Sequence, residues 1–316
     1  MRFMIAGGAG FVGSHLCDRL LNEGHSVLCL DNFLTGVPAN LEHLVGNPLF
    51  EGVSQDVSQP FTVEGEIDGL VHLATPASPL AYQRHPIETL KVGANGTFNL
   101  IELAQEKNAR FILTSTSEVY GNPEVHPQVE EYHGRVSPVG PRSMYDEAKR
   151  FSEATTMGYR RAVGTDVGIV RIFNTYGPRM RPDDGRVVPT FVRQVLAGEP
   201  ITLFGDGSQT RSFCYVDDLV DGLYRMLFSS ETGPINLGNP QEVTMLELAE
   251  RILELAGSTS PLQFDPLPED DPVRRRPDIT KAGNLLGWRP TTSLGEGLSR
   301  TIDWFKSLPP DTVAAG

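Results

Sequence analysis

Positions 110–121 read RFILTSTSEVYG and positions 144–149 read MYDEAK. An apolar run thus ends in Thr116, Ser117 and Glu118, and a phenol and an ammonium follow at Tyr145 and Lys149. On a helix the i, i+4 spacing puts those two side chains on one face, about one turn apart. A phenol with an ordinary pKa near ~10 is a poor base at neutral pH. A neighbouring cation stabilises the phenolate and lowers that value. Thr116 adds a hydroxyl that can hold the same substrate oxygen. The chemistry on offer is removal of a proton from an alcohol.

These residues need a frame. Apolar runs suited to buried strands occur at 2–6, 26–30, 68–73, 110–114 and 167–172, with a weaker one near 49–53. Helix-period segments fill 11–23, 86–107 and 143–162 between them. That alternation predicts an α/β fold, a doubly wound parallel sheet of Rossmann type. Ligands of such a sheet sit at the carboxyl ends of its strands, where Thr116 to Glu118 fall. Residues 1–174 form the expected nucleotide-binding domain. After Asn174, short apolar pieces at 201–204, 234–237 and 262–265 mix with helices near 187–197, 216–229, 244–256 and 294–307. Residues 175–316 therefore read as a smaller, mainly substrate-binding portion, with the chain crossing back near 205–230. The final PPDTVAAG reads as a frayed tail.

The segment AGGAGFVGSHL sets Gly7, Gly10 and Gly13 between the first strand and the first helix. Glycines there allow a tight turn and let a pyrophosphate approach the free amides of the helix N-terminus. Asp31 ends the second strand, eighteen residues after Gly13, where a carboxylate can accept a ribose 2′-hydroxyl and would repel a 2′-phosphate. No lysine or arginine follows Asp31 until Arg84, so NAD is favoured over NADP. Asp56 and Val57, after the third strand, are placed to border the adenine. With a nicotinamide at the strand ends, proton removal by Tyr145 pairs with hydride transfer, and the nicotinamide's positive charge joins Lys149 in acidifying the phenol.

Composition limits the partners. The chain has 316 residues, 27 Lys plus Arg and 40 Asp plus Glu, a net charge of −13. So acidic a protein repels nucleic acid and anionic membranes, and any anionic ligand needs cations placed locally. Cys17, Cys29 and Cys214 have no ligand-like spacing, and the histidines form no paired cluster, so neither a disulfide frame nor a metal site is expected. The short strand at the N-terminus leaves no room for a signal peptide, and no apolar run approaches the ~20 residues of a membrane span. A cytoplasmic protein is expected.

The chain resembles the extended short-chain dehydrogenase/reductases that act on nucleotide sugars, from Arg2 to about Phe305. Within them it is most similar to the UDP-glucuronate decarboxylases. The stretches that carry this are HLATPASP (72–79), STSEVYGNPEVHPQ (115–128), GPRSMYDEAKR (140–150), RIFNTYGPRMRPDDGRVV (171–188), GDGSQTRSFCYVDDL (205–219) and RRRPDITKA (274–282). The resemblance implies NAD held by Gly7, Gly10, Phe11, Val12, Gly13, Asp31, Asn32, Asp56, Val57, Leu73, Ala74 and Thr75, with Tyr145 and Lys149. It implies catalysis by Thr116, Ser117, Glu118, Tyr145, Lys149 and Arg275. Arg211 and Arg275 match positions that meet the diphosphate or the sugar. Asn174, Val188 and Phe204 match contacts to phosphate, ribose and uracil. Ser78 and Tyr82 can hydrogen-bond a carboxylate, with turn and core roles as the plain alternative.

Position 117 separates relatives. Sugar 4,6-dehydratases of this resemblance carry Asp beside the Glu, to protonate a departing hydroxyl, and Ser117 cannot do that. Glu118 remains to position the ring or a water near carbon 5. Two positions depart from the family: Gly93 stands where Asn is usual, with Asn95 nearby, and Phe204 replaces a Tyr. Arg274 and Arg276 read as solvated charges facing the acidic run 269–271. A UDP-glucuronate 4-epimerase is the rival reading, and a non-catalytic NAD-binding module the distant one. The resemblance also implies a homodimer joined by a four-helix bundle from the helices near 86–107 and 143–162.

Overall fold

A computed structural model of the 316-residue chain describes residues 1–266 and 275–309. The first half runs β1 (Arg2–Ala6), α1 (Phe11–Asn22), β2 (Ser26–Asp31), β3 (Phe50–Ser54) and β4 (Gly69–His72). Two short helices follow, α2 (Pro79–Arg84) and α3 (Pro86–Lys91), then a π-helical turn at Val92–Gly96 and α4 (Thr97–Lys107). β5 (Arg110–Thr116), α5 (Ser143–Val163) and β6 (Val167–Ile172) complete this half.

The rest is built of smaller pieces. They are β7 (Thr175–Tyr176), α6 (Val187–Ala197), β8 (Ile201–Phe204), β9 (Thr210–Ser212), β10 (Cys214–Tyr215), α7 (Val216–Leu227) and β11 (Ile235–Leu237). β12 (Glu242–Thr244), α8 (Met245–Ala256), β13 (Leu262–Asp265), α9 (Thr280–Leu286) and α10 (Leu294–Ser307) follow. α8 starts on a reciprocal cap in which Thr244 and Glu247 satisfy each other's backbone amides.

Seven parallel strands form the main sheet in the order β11-β6-β5-β4-β1-β2-β3. Chain order reverses between β1 and β4, and this opens a crevice at their carboxyl ends. The registers Ala6↔Leu30, Ala6↔His72 and Thr116↔Ile172 bring Gly7, Leu73 and Ser117 out along one edge. Side chains alternate across each strand, so Phe3 and Ile5 face one core and Met4 and Ala6 the other. The Phe3 side is covered by α1 and α7, and the same apolar cluster runs on without a break to Phe191, Leu248 and Phe305. The later portion is therefore packed onto the sheet, and β11 extends the sheet beside β6. The other face is covered by α4 and α5 through Leu100, Ile101 and Met157.

The helix expected over 86–107 is interrupted. Gly93 lies against α5, where a Cβ would stand 2.6 Å from the Ala148 Cβ, and its carbonyl accepts the Thr97 and Ser152 hydroxyls at 2.7 and 2.9 Å. The π turn follows that close approach. Asn95 is exposed. Among the described residues no helix is long and apolar enough to cross a membrane. The three cysteines are free and buried. Arg274, the acidic run 269–271 and the tail from residue 310 lie outside the described residues.

Candidate active site

At the nucleotide end the geometry is made by backbone. Gly7 has φ +86°, a region that favours glycine, and a Cβ there would lie 2.6 Å from the Ala74 amide nitrogen. A Cβ on Gly13 would lie 2.2 Å from the Gly7 carbonyl oxygen, so α1 starts directly against the end of β1. The first turn of α1 holds no acidic residue and its N-cap, Gly10, offers no side chain, which leaves the amides facing the crevice. Asp31 ties this turn to β2: its carboxylate accepts the Ala9 and Phe33 amides at 2.9 and 2.8 Å. Burial raises the Asp31 carboxyl and these two bonds act the other way. Asn32 caps the Leu34 amide at 3.0 Å, and Asp56 caps that of Ser58 at 2.9 Å. Val57 is buried, and its carbonyl accepts from Asn99 at 2.9 Å.

A cavity of about 780 Å³ runs from this turn along the strand ends. Gly7, Gly10, Phe11, Val12, Gly13, Leu73 and Thr75 line one end; Asp31, Asn32, Asp56, Val57 and Ala74 stand outside its wall. Thr116, Ser117, Glu118, Tyr145, Lys149 and Arg275 line its middle, and Asn174, Val188, Phe204 and Arg211 the far end. Phe204 is 46% exposed, a ring face open to a base.

The middle is where the chemistry can occur. β5 is buried along its whole length and ends in Thr116, whose hydroxyl caps the Glu118 amide at 3.2 Å. On α5, Tyr145, Ala148, Lys149, Ser152 and Thr156 form the buried face. The Tyr82 ring stacks on Tyr145 with centroids 5.0 Å apart and planes within 9°. Tyr82 is thus a packing partner of the phenol, and Ser78 is the N-cap of α2, accepting the Ala81 amide at 3.3 Å. Lys149 donates to the Thr114 carbonyl at 2.8 Å.

The expected acidity of Tyr145 counts on two cations, and Lys149 by itself does not supply it. Burial pushes the Tyr145 phenol up, with the Thr116 hydroxyl acting the other way, and Glu118 pushes it up further. Lys149 is turned to a carbonyl under the sheet, and burial lowers its own pKa to about 8 with Glu153 opposing. The acidified phenol expected from the Tyr145/Lys149 spacing is therefore not preset. A desolvated phenolate needs a nearer cation than this ammonium, the part that the expectation gives to the nicotinamide's positive charge.

Glu118 lies in this middle stretch between two arginines, its carboxylate ion-paired to Arg142 on one oxygen and Arg275 on the other. Burial alone would raise its carboxyl, but the two guanidiniums together hold it below the usual range. Arg275 arrives on a strand-like segment fixed by Gln128: the Gln128 amide donates to Arg276 O at 2.9 Å, the Arg276 amide to Gln128 Oε1 at 2.8 Å. The Arg276 guanidinium lies 3.6 Å from Glu242. Deeper in, Arg171 pairs with Glu153 at 2.8 Å and donates to Tyr120 and the Glu130 carbonyl, one helical turn beyond Lys149.

Sequence reasoning missed Arg142, Asp146 and Arg186. Arg142 stands three residues before Tyr145, a helical spacing that was available in GPRSMYDEAKR. Asp146 is buried beside this group, and burial, then the Glu118 charge, raise its carboxyl to about 7. Arg186 lines the cavity paired with Asp184, and Arg181 likewise with Asp183.

A model of the family described as NAD dependent epimerase/dehydratase matches residues 3–238. The chain belongs to that family. UDP-glucuronic acid decarboxylase 1 of Danio rerio is 52% identical over 304 residues, 96% of this chain and 72% of the relative. UDP-glucuronic acid decarboxylase 2 of Arabidopsis thaliana is 53% identical over 306 residues, 97% of this chain and 68% of the relative. Among solved structures, the UDP-glucuronic acid 4-epimerase of Bacillus cereus, in complex with UDP-glucuronic acid and NAD, superposes with a TM-score of 0.84 at 30% identity, covering 97% of this chain and 99% of that one. NAD is the cofactor of this epimerase/dehydratase fold. The residues present fit it: the Gly7–Gly13 cradle leaves no room for a Cβ, and the buried Thr75 hydroxyl has no hydrogen-bond partner.

Proposed function

We propose that the protein is a UDP-glucuronate decarboxylase that forms UDP-xylose through a 4-keto sugar and keeps its NAD. The observation that carries the reading is the identity of 52 to 53% over 96 to 97% of the chain to decarboxylases, against 30% for the uronate epimerase. The site supports it. Ser117, not a second acid, stands beside Glu118, as suits a reaction that expels no hydroxide, and Arg142 and Arg275 line the cavity on either side of Glu118.

NAD, when bound at the Gly7–Gly13 turn, would supply the acceptor for the hydride of sugar carbon 4 and the donor that restores it. Tyr145 removes the proton of the 4-hydroxyl, with Thr116 holding that oxygen in line and Lys149 orienting the dinucleotide from below. The resulting ketone is β to the carboxylate, so carbon dioxide leaves with its electrons delocalised into the carbonyl. Glu118, held ionised, orients the ring or a water at carbon 5, and Arg275 fixes Glu118 there. Asn174, Val188, Phe204 and Arg211 take the UDP, while Asp31, Asn32, Asp56 and Val57 border the adenosine. We assign residues 1–174, with the segment returning near 205–230, to the dinucleotide and residues 175–316 mainly to the sugar nucleotide.

A homodimer in the cytoplasm completes the proposal. Phe98 on α4 and Phe151 on α5 are exposed and meet edge to face at 5.8 Å, and Ile87 and Leu90 are exposed beside them. These helices supply the four-helix bundle. Incubating the purified protein with UDP-glucuronate tests the function. Carbon dioxide with UDP-xylose is expected, UDP-galacturonate would establish the epimerase, and an NAD that no uronic acid nucleotide ever reduces would leave a binding module.

A further inference from the structure

Two arginines of the cavity wall each have a carboxylate of their own. Arg181 has Asp183 and Arg186 has Asp184. Glu118, by contrast, serves both Arg142 and Arg275, and the neighbouring Asp146 carboxyl, raised to about 7, offsets the second guanidinium only in part. Both guanidiniums also keep a buried Nε–H with no hydrogen-bond partner. A surplus cation and orphaned donors in a half-dry wall are costly unless a ligand brings an anion.

The two arginines are not equivalent. The Arg275 side chain is 7% exposed, its backbone segment is fixed by Gln128, and its Nη2 reaches toward the Gly121 carbonyl at 3.4 Å. Arg142 is 28% exposed and stands at the N-cap of α5, about one turn before Tyr145 and on the same side of the helix. It is the guanidinium able to turn from Glu118 to a ligand while Arg275 keeps Glu118 in place.

We propose that Arg142 is the specificity residue that grips the carboxylate of a uronic acid sugar, its fork replacing the bond to Glu118 by one to the substrate. This deepens the decarboxylase reading and rests on it. A neutral hexose on the same diphosphate offers nothing to the surplus charge, so Arg142 sets the preference for uronates. Its grip is on a group that departs as neutral carbon dioxide. While carbon 4 is being oxidised, however, that group is still attached, so the grip holds bound substrate and transition state alike, and its loss raises KM while kcat changes little.

The test compares Arg142→Gln and Arg142→Lys with the parent protein, all holding NAD. Titration calorimetry in a Tyr145→Phe background, where ligand is not consumed, gives affinities for UDP-glucuronate, UDP-glucose and UDP. Arg142→Gln is expected to lose about 10- to 100-fold for UDP-glucuronate, with UDP-glucose and UDP within about twofold. With Tyr145 intact, KM for UDP-glucuronate rises by a similar factor. Equal losses for all three ligands, or an unchanged preference, overturn the inference. Should Arg142→Gln not fold, Arg142→Lys decides: a several-fold loss confined to the uronate supports it, and parental affinities overturn it. A parent protein that binds UDP-glucose as tightly as UDP-glucuronate would bring down the proposed function itself, whereas a parental preference indifferent to Arg142 removes this inference alone.

Discussion

Two stretches of the cavity are built by different means. The nucleotide end is a backbone object: Gly7 and Gly13 sit where a Cβ would meet main-chain atoms at 2.6 and 2.2 Å, and the first turn of α1 carries neither a side-chain cap nor an acid. The stretch around Glu118, proposed for the sugar, is a side-chain object: Glu118 meets Arg142 and Arg275 across sequence separations of 24 and 157 residues. Backbone geometry tolerates no substitution but needs few residue types. A charge cluster tolerates small shifts, yet its protonation states depend on every neighbour. The first suits a cofactor common to many reactions, and the second is where one reaction differs from another.

Substitutions that strike one end alone test that division. The largest effect is expected from Tyr145→Phe, which should cut carbon dioxide release by about 10²- to 10⁴-fold, the worth of a positioned acid–base group. NAD content and UDP affinity should stay as they were; undiminished release would sink the mechanism. Gly13→Ala comes next. It should cost at least about tenfold in NAD affinity, because its methyl displaces the Gly7 carbonyl, while UDP still binds the far end within about twofold. Parallel loss of both ligands would show the ends to be coupled.

A smaller effect is expected behind the site. Gly93→Asn drives a side chain into Ala148 and should destabilise the protein by about 1–3 kcal/mol, read from the denaturant midpoint. Adding Ala148→Gly should recover a good part, and strict additivity of the two changes would refute the contact. The mildest concerns Asp146. Folding raises its carboxyl from 3.8 to about 7, so the folded protein holds an extra proton in between. Its contribution to stability is fully present below the lower value and is lost as pH rises through the upper one. Asp146→Asn should flatten the fall in melting temperature from about pH 4 to pH 7, and an unchanged slope would assign the raised carboxyl elsewhere.

Legibility in the sequence followed the same division. Strands at 2–6 and 167–172 emerged with the expected bounds, and that at 49–53 one residue later, since apolar runs and their breakers are local signals. The helix over 86–107 was read through glycines that the structure uses for a π turn, because only the contact with Ala148 explains them. Ser78, for which the sequence leaves a carboxylate contact or a turn role open, is a helix cap, with Pro79 at the first helical position as its visible sign.

By itself the sequence determined the parallel sheet, the glycine turn and the shared helical face of Tyr145 and Lys149, all of them patterns within a few residues. Tertiary structure alone decided that Tyr82 stacks on the phenol, that Lys149 turns to Thr114, and that Glu118 gathers two arginines. The reason is physical. Helix and strand periods are set by local backbone geometry, whereas burial and charge pairing exist only once the sheet has brought distant segments to one edge.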